Sequence, residues 1–217
     1  MSNEYLIEVR EVYKKIKPLI EARIDGYKEI WFNGNNEDVH KELAFCILTP
    51  QSKARGAEKA IDGMVEAGVF WTGMVDDLLP YLNTVRFKNT KAKNLVTLRE
   101  FMKDEEGRII TKTLVDKIGD VFEKRIWLIK NIKGIGYKEA SHFLRNIGFG
   151  DEIAILDRHI LKNIMRLGVI DEIPKTITPK KYLEIEKKIK DYCKKTKIPM
   201  DHFDLLLWYL EAGEVFK

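Results

Sequence analysis

Apolar positions recur every three or four residues along almost the whole chain. Leu6, Val9, Val12, Ile16 and Ile20 mark the pattern near the start, and Leu205, Leu206, Tyr209 and Leu210 near the end. That spacing lines one face of a helix. It is interrupted at Asn33–Asn36, Gly68, Gly73, Asp104–Gly107, Gly134–Gly136, Gly148–Gly150, Ile173–Pro174 and Ile198–Pro199, the punctuation of helices joined by tight turns, and about ten helices fit between the breaks. Gly107–Ile110 has room to pair as a very short strand. No other segment alternates with a period of two for long enough to build a sheet. The pattern predicts an all-α fold without internal repeats or low-complexity tracts.

The composition agrees with a folded, non-fibrous protein: 217 residues, 45% hydrophobic and 33% charged. That length serves one large domain or two small ones and buries enough apolar surface to fold without disulfides. Collagen-like, mucin-like and disordered readings are excluded. No stretch approaches the roughly eighteen apolar residues of a membrane span, and the acid-containing start MSNEYLIEVREVYKKIK lacks a signal-peptide core. A cytoplasmic protein with no membrane partner is expected. Cys46 and Cys193 each stand alone, which leaves no zinc knuckle, redox pair or cysteine-ligated cluster. No metal or other cofactor is expected.

Thirty-eight Lys and Arg against 34 Asp and Glu leave a net charge of +4, unevenly spread. Asn83–Arg99 holds Arg86, Lys88, Lys91, Lys93 and Arg99 with no acid, and Lys124–Lys138 holds Lys124, Arg125, Lys130, Lys133 and Lys138 in the same way. Basic stretches that include turns suit phosphate contact and point to nucleic acid. The plainer alternative is a solvated lysine-rich face. Lys175–Lys197 interleaves Glu184, Glu186 and Asp191 and reads as a solvated amphipathic helix.

The most informative segment is Leu128–Arg145, two amphipathic runs joined by Lys133-Gly134-Ile135-Gly136. It reads as a helix-hairpin-helix. Two glycines around one apolar residue let the backbone turn sharply and aim the second helix's unpaired amides at an anion, while Ile135 plugs the core. A Gly-x-Gly also ends many ordinary helices, so the flanking periodicity and basic surround carry the assignment. Lys138 falls in the first turn of the second helix, where the positive end of the helix dipole disfavours an ammonium. An amine held neutral there is a nucleophile able to form a Schiff base. The alternatives are a tolerated surface lysine and a phosphate contact. Farther on, Gly148–Leu156 leads to Asp157 at a helix N-cap, with His159 two residues later. An ionised aspartate there can stabilise a developing oxocarbenium ion or move protons. It can also be only a cap.

Together the hairpin, Lys138 and the Leu156-Asp157-Arg158-His159 segment resemble the helix-hairpin-helix DNA glycosylase superfamily in type, order and spacing. The resemblance makes Lys138 the lysine that attacks C1′ and Asp157 the aspartate that supports cleavage of the glycosidic bond. It assigns Lys133, Gly134, Ile135, Gly136 and His159 to DNA contact. The segment Ile47–Ala54 looks like the family's helix end whose glutamine, here Gln51, fills the space of the flipped nucleotide. Val85–Ala92 is similar to its wedge loop, with Phe87 or Val85 as the intercalating side chain. Helix capping by Gln51 and core burial of Phe87 are the alternatives. The loop before Asp157 departs from the family's Gly/Pro-rich pattern by having no proline.

Within the superfamily, this length leaves no room for the β-domain of the eukaryotic-type 8-oxoguanine glycosylases, and the four-cysteine cluster of the endonuclease-III-like members is missing. The tail Met200–Lys217 resembles the second, mainly archaeal group of 8-oxoguanine glycosylases. 8-Oxoguanine gains an N7–H donor that guanine lacks, so an acceptor facing N7 separates them. The resemblance implies that the carboxylate of Lys217 is that acceptor and that Trp208 stacks on the extruded base. Chemistry alone suggests Asp204 as an acceptor for the N1 or N2 hydrogens. Trp208 as plain core and a disordered terminal lysine are the alternatives.

The resemblance therefore implies two helical subdomains, one discontinuous (1–35 and 132–217) and one in the middle (36–131), with the hairpin and the Gly-rich Asp loop at the seam. The expected activity is excision of 8-oxoguanine from duplex DNA by a monomer, followed by Schiff-base β-elimination that nicks the strand. Rival readings are a glycosylase for oxidised pyrimidines or mismatched adenine, the latter opposed by Lys138. A silent helix-hairpin-helix DNA-binding module and a purely structural helical protein are the others.

Overall fold

The computed structural model describes residues 3–216, which form twelve α-helices and one short 3-10 helix. The first is α1, Asn3–Phe32, whose inward stripe of Tyr5, Val9, Ile16, Ile20, Ile24 and Tyr27 is buried. It stops at the Asn33–Asn35 turn, where the Asn35 side chain accepts from the amides of Glu37 and Asp38 and Asp38 accepts from the Asn35 amide. This reciprocal cap starts α2, Asn36–Leu48. Next come α3 (Ala54–Glu66), α4 (Val69–Thr72), α5 (Val75–Leu78), the 3-10 turn Leu79–Leu82 and α6 (Lys88–Phe101). After α7 (Thr111–Asp116) come α8 (Val121–Asn131), α9 (Tyr137–Asn146), α10 (Arg158–Arg166), α11 (Pro179–Thr196) and α12 (Met200–Ala212). The count exceeds the ten or so expected because α4 and α5 are only four residues long, too short for a 3.6-residue period to show. The short pairing expected near Gly107 is a single antiparallel bridge between Lys103 and Ile109.

The chain divides into two compact units, one of residues up to Glu29 together with those from Leu144 onward, the other Ile30–Phe143. In the first, α10 and α11 pack on α12 around Ile160, Ile164, Ile185, Ile189, Phe203 and Leu206. In the second, α2 is buried on every side from Glu42 to Leu48 and packs against α3, α6 and α7. The boundaries read from the sequence lie at 35/36 and 131/132, whereas the compact units divide at 29/30 and 143/144. These divisions fall inside α1 and α9, where an unbroken helix leaves no turn in the sequence, and they place the hairpin and Lys138 with the middle unit. Among the described residues no helix is long and apolar enough to cross a membrane.

Candidate active site

The hairpin is shaped by its glycines. Gly134 has φ of +89°, a region open to glycine, and a Cβ there would stand 2.5 Å from Asn94 Nδ2 on α6. Ile135 is buried, and Lys133 and Gly134 are exposed. The Gly136 amide donates to Glu139 Oε2 (3.2 Å), closing the start of α9 with the carboxylate of its third residue. Lys138, the second residue of α9, is half-buried, and its Nζ lies 3.8 Å from Glu139 Oε1. One carboxylate thus caps the helix with one oxygen and faces the candidate nucleophile with the other.

Asp157 caps α10. Its Oδ1 accepts from the Ile160 amide at 2.8 Å, and its backbone is extended at φ −93°, ψ 178°. The approach Ile153–Leu156 is buried and belongs to no helix, so its backbone groups need partners. Two side chains of α11 supply them. Glu186 accepts from the Ala154 amide (2.9 Å), while Tyr182 donates to the Ala154 carbonyl (2.6 Å) and accepts from the Leu156 amide (3.3 Å). These bonds fix a loop that has no proline to stiffen it. Neither residue stands out in the sequence, where Glu186 looks like one more charge on a solvated helix.

In the same unit Trp208 is half-buried, its ring edge-on to His159 with centroids 5.1 Å apart. The Trp208 Nε1 atom is buried with no hydrogen-bond partner among the described residues. His159 Nδ1 stands 3.5 Å from Glu211 Oε2, and Lys162 holds the same carboxylate at 3.0 Å. Contacts with Lys162, Asn163 and His159 keep the Glu211 carboxyl below the usual range. Asp204 lies 3.6 Å from Arg145 Nη1, in a pair that is almost wholly buried. Lys217 lies outside the described residues, but Phe216 before it is buried and its carbonyl accepts from the Tyr27 hydroxyl at 3.0 Å.

In the middle unit, Gln51 sits exposed in the α2–α3 turn with φ of +55°. Phe87 also takes a left-handed backbone (φ +58°) and exposes 58% of its surface, whereas Val85 is buried at 4%. Of the two residues named for the wedge, Phe87 has the reach. Two non-glycine residues in a conformation that L side chains rarely adopt mark both turns as tightly determined.

The basic stretches lie only partly on the surface. Lys91, Arg99, Lys124 and Arg125 are buried, not offered to solvent. Arg99 donates to the carbonyls of Phe70 and Gly73, and Lys124 to those of Ile118 and Gly119. Long cationic side chains can bring their heads to loop carbonyls while their stems line the core. Arg86, Lys93, Lys130 and Lys133 are the members left exposed.

The candidates thus form two sets: Lys138, the hairpin, Gln51 and Phe87 in the middle unit, and Asp157, His159, Asp204 and Trp208 in the other. The family described as 8-oxoguanine DNA glycosylase matches residues 20–198. An 8-oxoguanine DNA glycosylase/AP lyase of Fusobacterium nucleatum subsp. nucleatum is 56% identical over 215 residues, 99% of each chain. The Methanocaldococcus jannaschii protein of that name is 40% identical over 205 residues, 94% of each chain. The crystal structure of the 8-oxoguanine DNA glycosylase of Thermotoga maritima superimposes with a TM-score of 0.84 at 36% identity, covering 99% of both chains. The Methanocaldococcus jannaschii 8-oxoguanine glycosylase/lyase, crystallised with a 15mer DNA containing 8-oxoguanine, does so with a TM-score of 0.86 at 38% identity over 98% of this chain and 99% of that one. With its helix-hairpin-helix, its all-α architecture and end-to-end relatives, the chain belongs to the 8-oxoguanine DNA glycosylase family.

Proposed function

We propose that this protein excises 8-oxoguanine from duplex DNA and nicks the strand at the resulting site through a Schiff base on Lys138. The observation that carries the reading is the amine of Lys138 in the first turn of the helix that follows a Gly-Ile-Gly hairpin. Backbone amides at such a turn bind the phosphate of a DNA strand, and an amine beside them is in reach of that strand's sugar. Family membership and the relatives' shared activity support the same conclusion.

In this reading Lys138 gives up a proton and its amine attacks C1′, the C1′–N9 bond breaks, and its electron pair leaves with the base, which takes up a proton. The Lys138 nitrogen then passes a proton to O4′ as the C1′–O4′ bond breaks, and the opened sugar is held as a protonated Schiff base. Loss of a C2′ proton expels the 3′ phosphate, and water hydrolyses the imine to return the amine. Asp157, held at its cap, stabilises the positive charge that develops on the sugar. Gln51 and Phe87 occupy the space left by the extruded nucleotide, and the hairpin and His159 hold the backbone. Trp208 stacks on the base, Asp204 accepts from the N1 or N2 hydrogens, and Lys217 accepts from N7–H. The protein acts as a monomer on cytoplasmic DNA.

Borohydride trapping tests this with duplexes carrying 8-oxoguanine, guanine, thymine glycol or an abasic site, using wild type and Lys138→Gln. The expected result is a Lys138-dependent adduct with 8-oxoguanine and the abasic site only. Trapping of the abasic site alone overturns the choice of lesion, and normal trapping by Lys138→Gln removes the lysine from its role.

A further inference from the structure

The buried ammonium of Lys91 is the polar centre of the surface that bears Gln51 and Phe87. Lys91 is 6% exposed, in the first turn of α6, and its Nζ spends its hydrogens on the turn between α2 and α3. It donates to the Pro50 carbonyl at 2.6 Å, the Leu48 carbonyl at 2.7 Å and the Ser52 hydroxyl at 3.1 Å. Three N–H groups meet three acceptors, the full capacity of a lysine head. These acceptors bracket Gln51, whose backbone is left-handed.

The contact continues into the second loop. Ser52 Oγ also accepts from the Arg86 amide at 3.0 Å, immediately before Phe87. One turn along α6 from Lys91, Asn94 packs against Gly134 so closely that a Cβ there would stand 2.5 Å from its Nδ2. A single face of α6 therefore touches the Gln51 turn, through Ser52 the Phe87 turn, and the phosphate-binding hairpin.

We propose that Lys91 is a positioning residue that locks the Gln51 turn to the Phe87 turn, so that both side chains enter the duplex as one preformed unit. The proposal rests on the reading of Gln51 and Phe87 as the inserting residues. A buried charge costs desolvation energy unless it is well paired, and a methionine would fill the same volume without that cost, so a cation here reflects a need for its donors. Burial first, and the Lys138 ammonium second, bring the Lys91 pKa down to about 8, which leaves it protonated near neutrality with all three hydrogens in use. Preformed turns spare the complex the entropy of ordering them at the moment of extrusion.

The test compares wild type with Lys91→Met, Lys91→Arg and Ser52→Ala as full chains. Three quantities are read: single-turnover excision of 8-oxoguanine, borohydride trapping on a preformed abasic site, and fluorescence of 2-aminopurine opposite the lesion, which brightens when insertion unstacks it. Lys91→Met is expected to slow excision about tenfold or more while abasic trapping stays within about twofold, since the lost step is extrusion and not imine formation. Its 2-aminopurine signal should fail to rise, and Lys91→Arg should restore most of it. Ser52→Ala, which removes the bridge but leaves the buried ammonium in place, should show the same split in weaker form even where Lys91→Met does not fold. The proposal falls if Lys91→Met brightens 2-aminopurine normally, or if Ser52→Ala matches wild type in every readout. Wild-type protein that brightens 2-aminopurine but excises no 8-oxoguanine would sink the choice of base and leave the coupling of the turns standing.

Discussion

Tyr27 donates its phenolic hydrogen to the carbonyl of Phe216 across 3.0 Å, although 189 positions separate them in sequence. Arg145 supports the bond from behind: its Nη1 donates to the Tyr27 oxygen at 2.9 Å and stands 3.6 Å from Asp204 Oδ2, with the guanidinium 4.9 Å from the ring centroid. The residue before Lys217 is thereby moored through Tyr27 and Arg145 to α12. Tyr27→Phe keeps the ring and removes the mooring. It should cost about 1–2 kcal/mol of stability, the usual effect of stranding buried polar groups. It should also narrow the ratio of 8-oxoguanine to guanine excision about tenfold, because an acceptor that wanders cannot read N7. Single-turnover rates on the two duplexes, with a denaturant melt, decide it; an unchanged ratio would separate the mooring from recognition.

Substitution can separate the cap made by Asp157 from the catalytic role proposed for it. Asparagine keeps an oxygen for the Ile160 amide and caps helices as well as aspartate does, whereas alanine costs about 1 kcal/mol. Asp157→Asn should melt close to wild type, and Asp157→Ala should lose that increment. Both should excise about a hundredfold more slowly, the range for losing a charged group at the reacting centre. Wild-type excision by Asp157→Asn would reduce the residue to a cap.

Tyr182→Phe removes the donor to the Ala154 carbonyl and the acceptor for the Leu156 amide. With both backbone groups buried, a loss of about 2 kcal/mol is expected. Excision should fall with duplex affinity unchanged if the loop serves to aim Asp157, as proposed. An anisotropy titration beside a rate measurement distinguishes this from general damage, which would weaken both.

His40 supplies a pH signature. It is buried, its Nδ1 is 2.8 Å from Thr111 Oγ1, and burial, aided by Arg99, lowers its pKa to about 3. The native state therefore stays unprotonated at this site where the unfolded chain, near 6.5, takes up a proton. Stability contributed by the neutral ring is present above about pH 6.5 and declines as pH falls toward 3, by about 2 kcal/mol between pH 7 and pH 5. Urea melts at the two values should show this slope in wild type and a flatter one in His40→Gln. Equal slopes would remove His40 as its source.

The helical architecture and most of its turns were open to reading because helix ends advertise themselves locally. Asn35 and Asp157 cap within three residues of their own positions, and Gly134 answers a backbone angle. The Tyr27–Phe216 bond has no local signature, and neither has the grip of Tyr182 and Glu186 on the Asp157 loop, since each joins segments far apart in the chain. Lys91 counts as surface charge in a tally of basic residues, although it shares the inward face of α6 with Ala92, Leu95 and Leu98. That spacing was the available clue, and charge counting hid it.

The inward-turned heads of Lys91, Arg99, Lys124 and Arg125 bear on how the protein meets DNA in salt. Each phosphate neutralised by an exposed cation releases condensed counterions, which steepens the fall of affinity with salt by a log–log slope of about 0.9. A head already bound inside the protein releases none. The titration slope will therefore count Arg86, Lys93, Lys130, Lys133 and their exposed neighbours, and it will be gentler than the density of basic letters in these two stretches suggests. Much of their positive charge serves as internal scaffolding and is not available to a DNA strand.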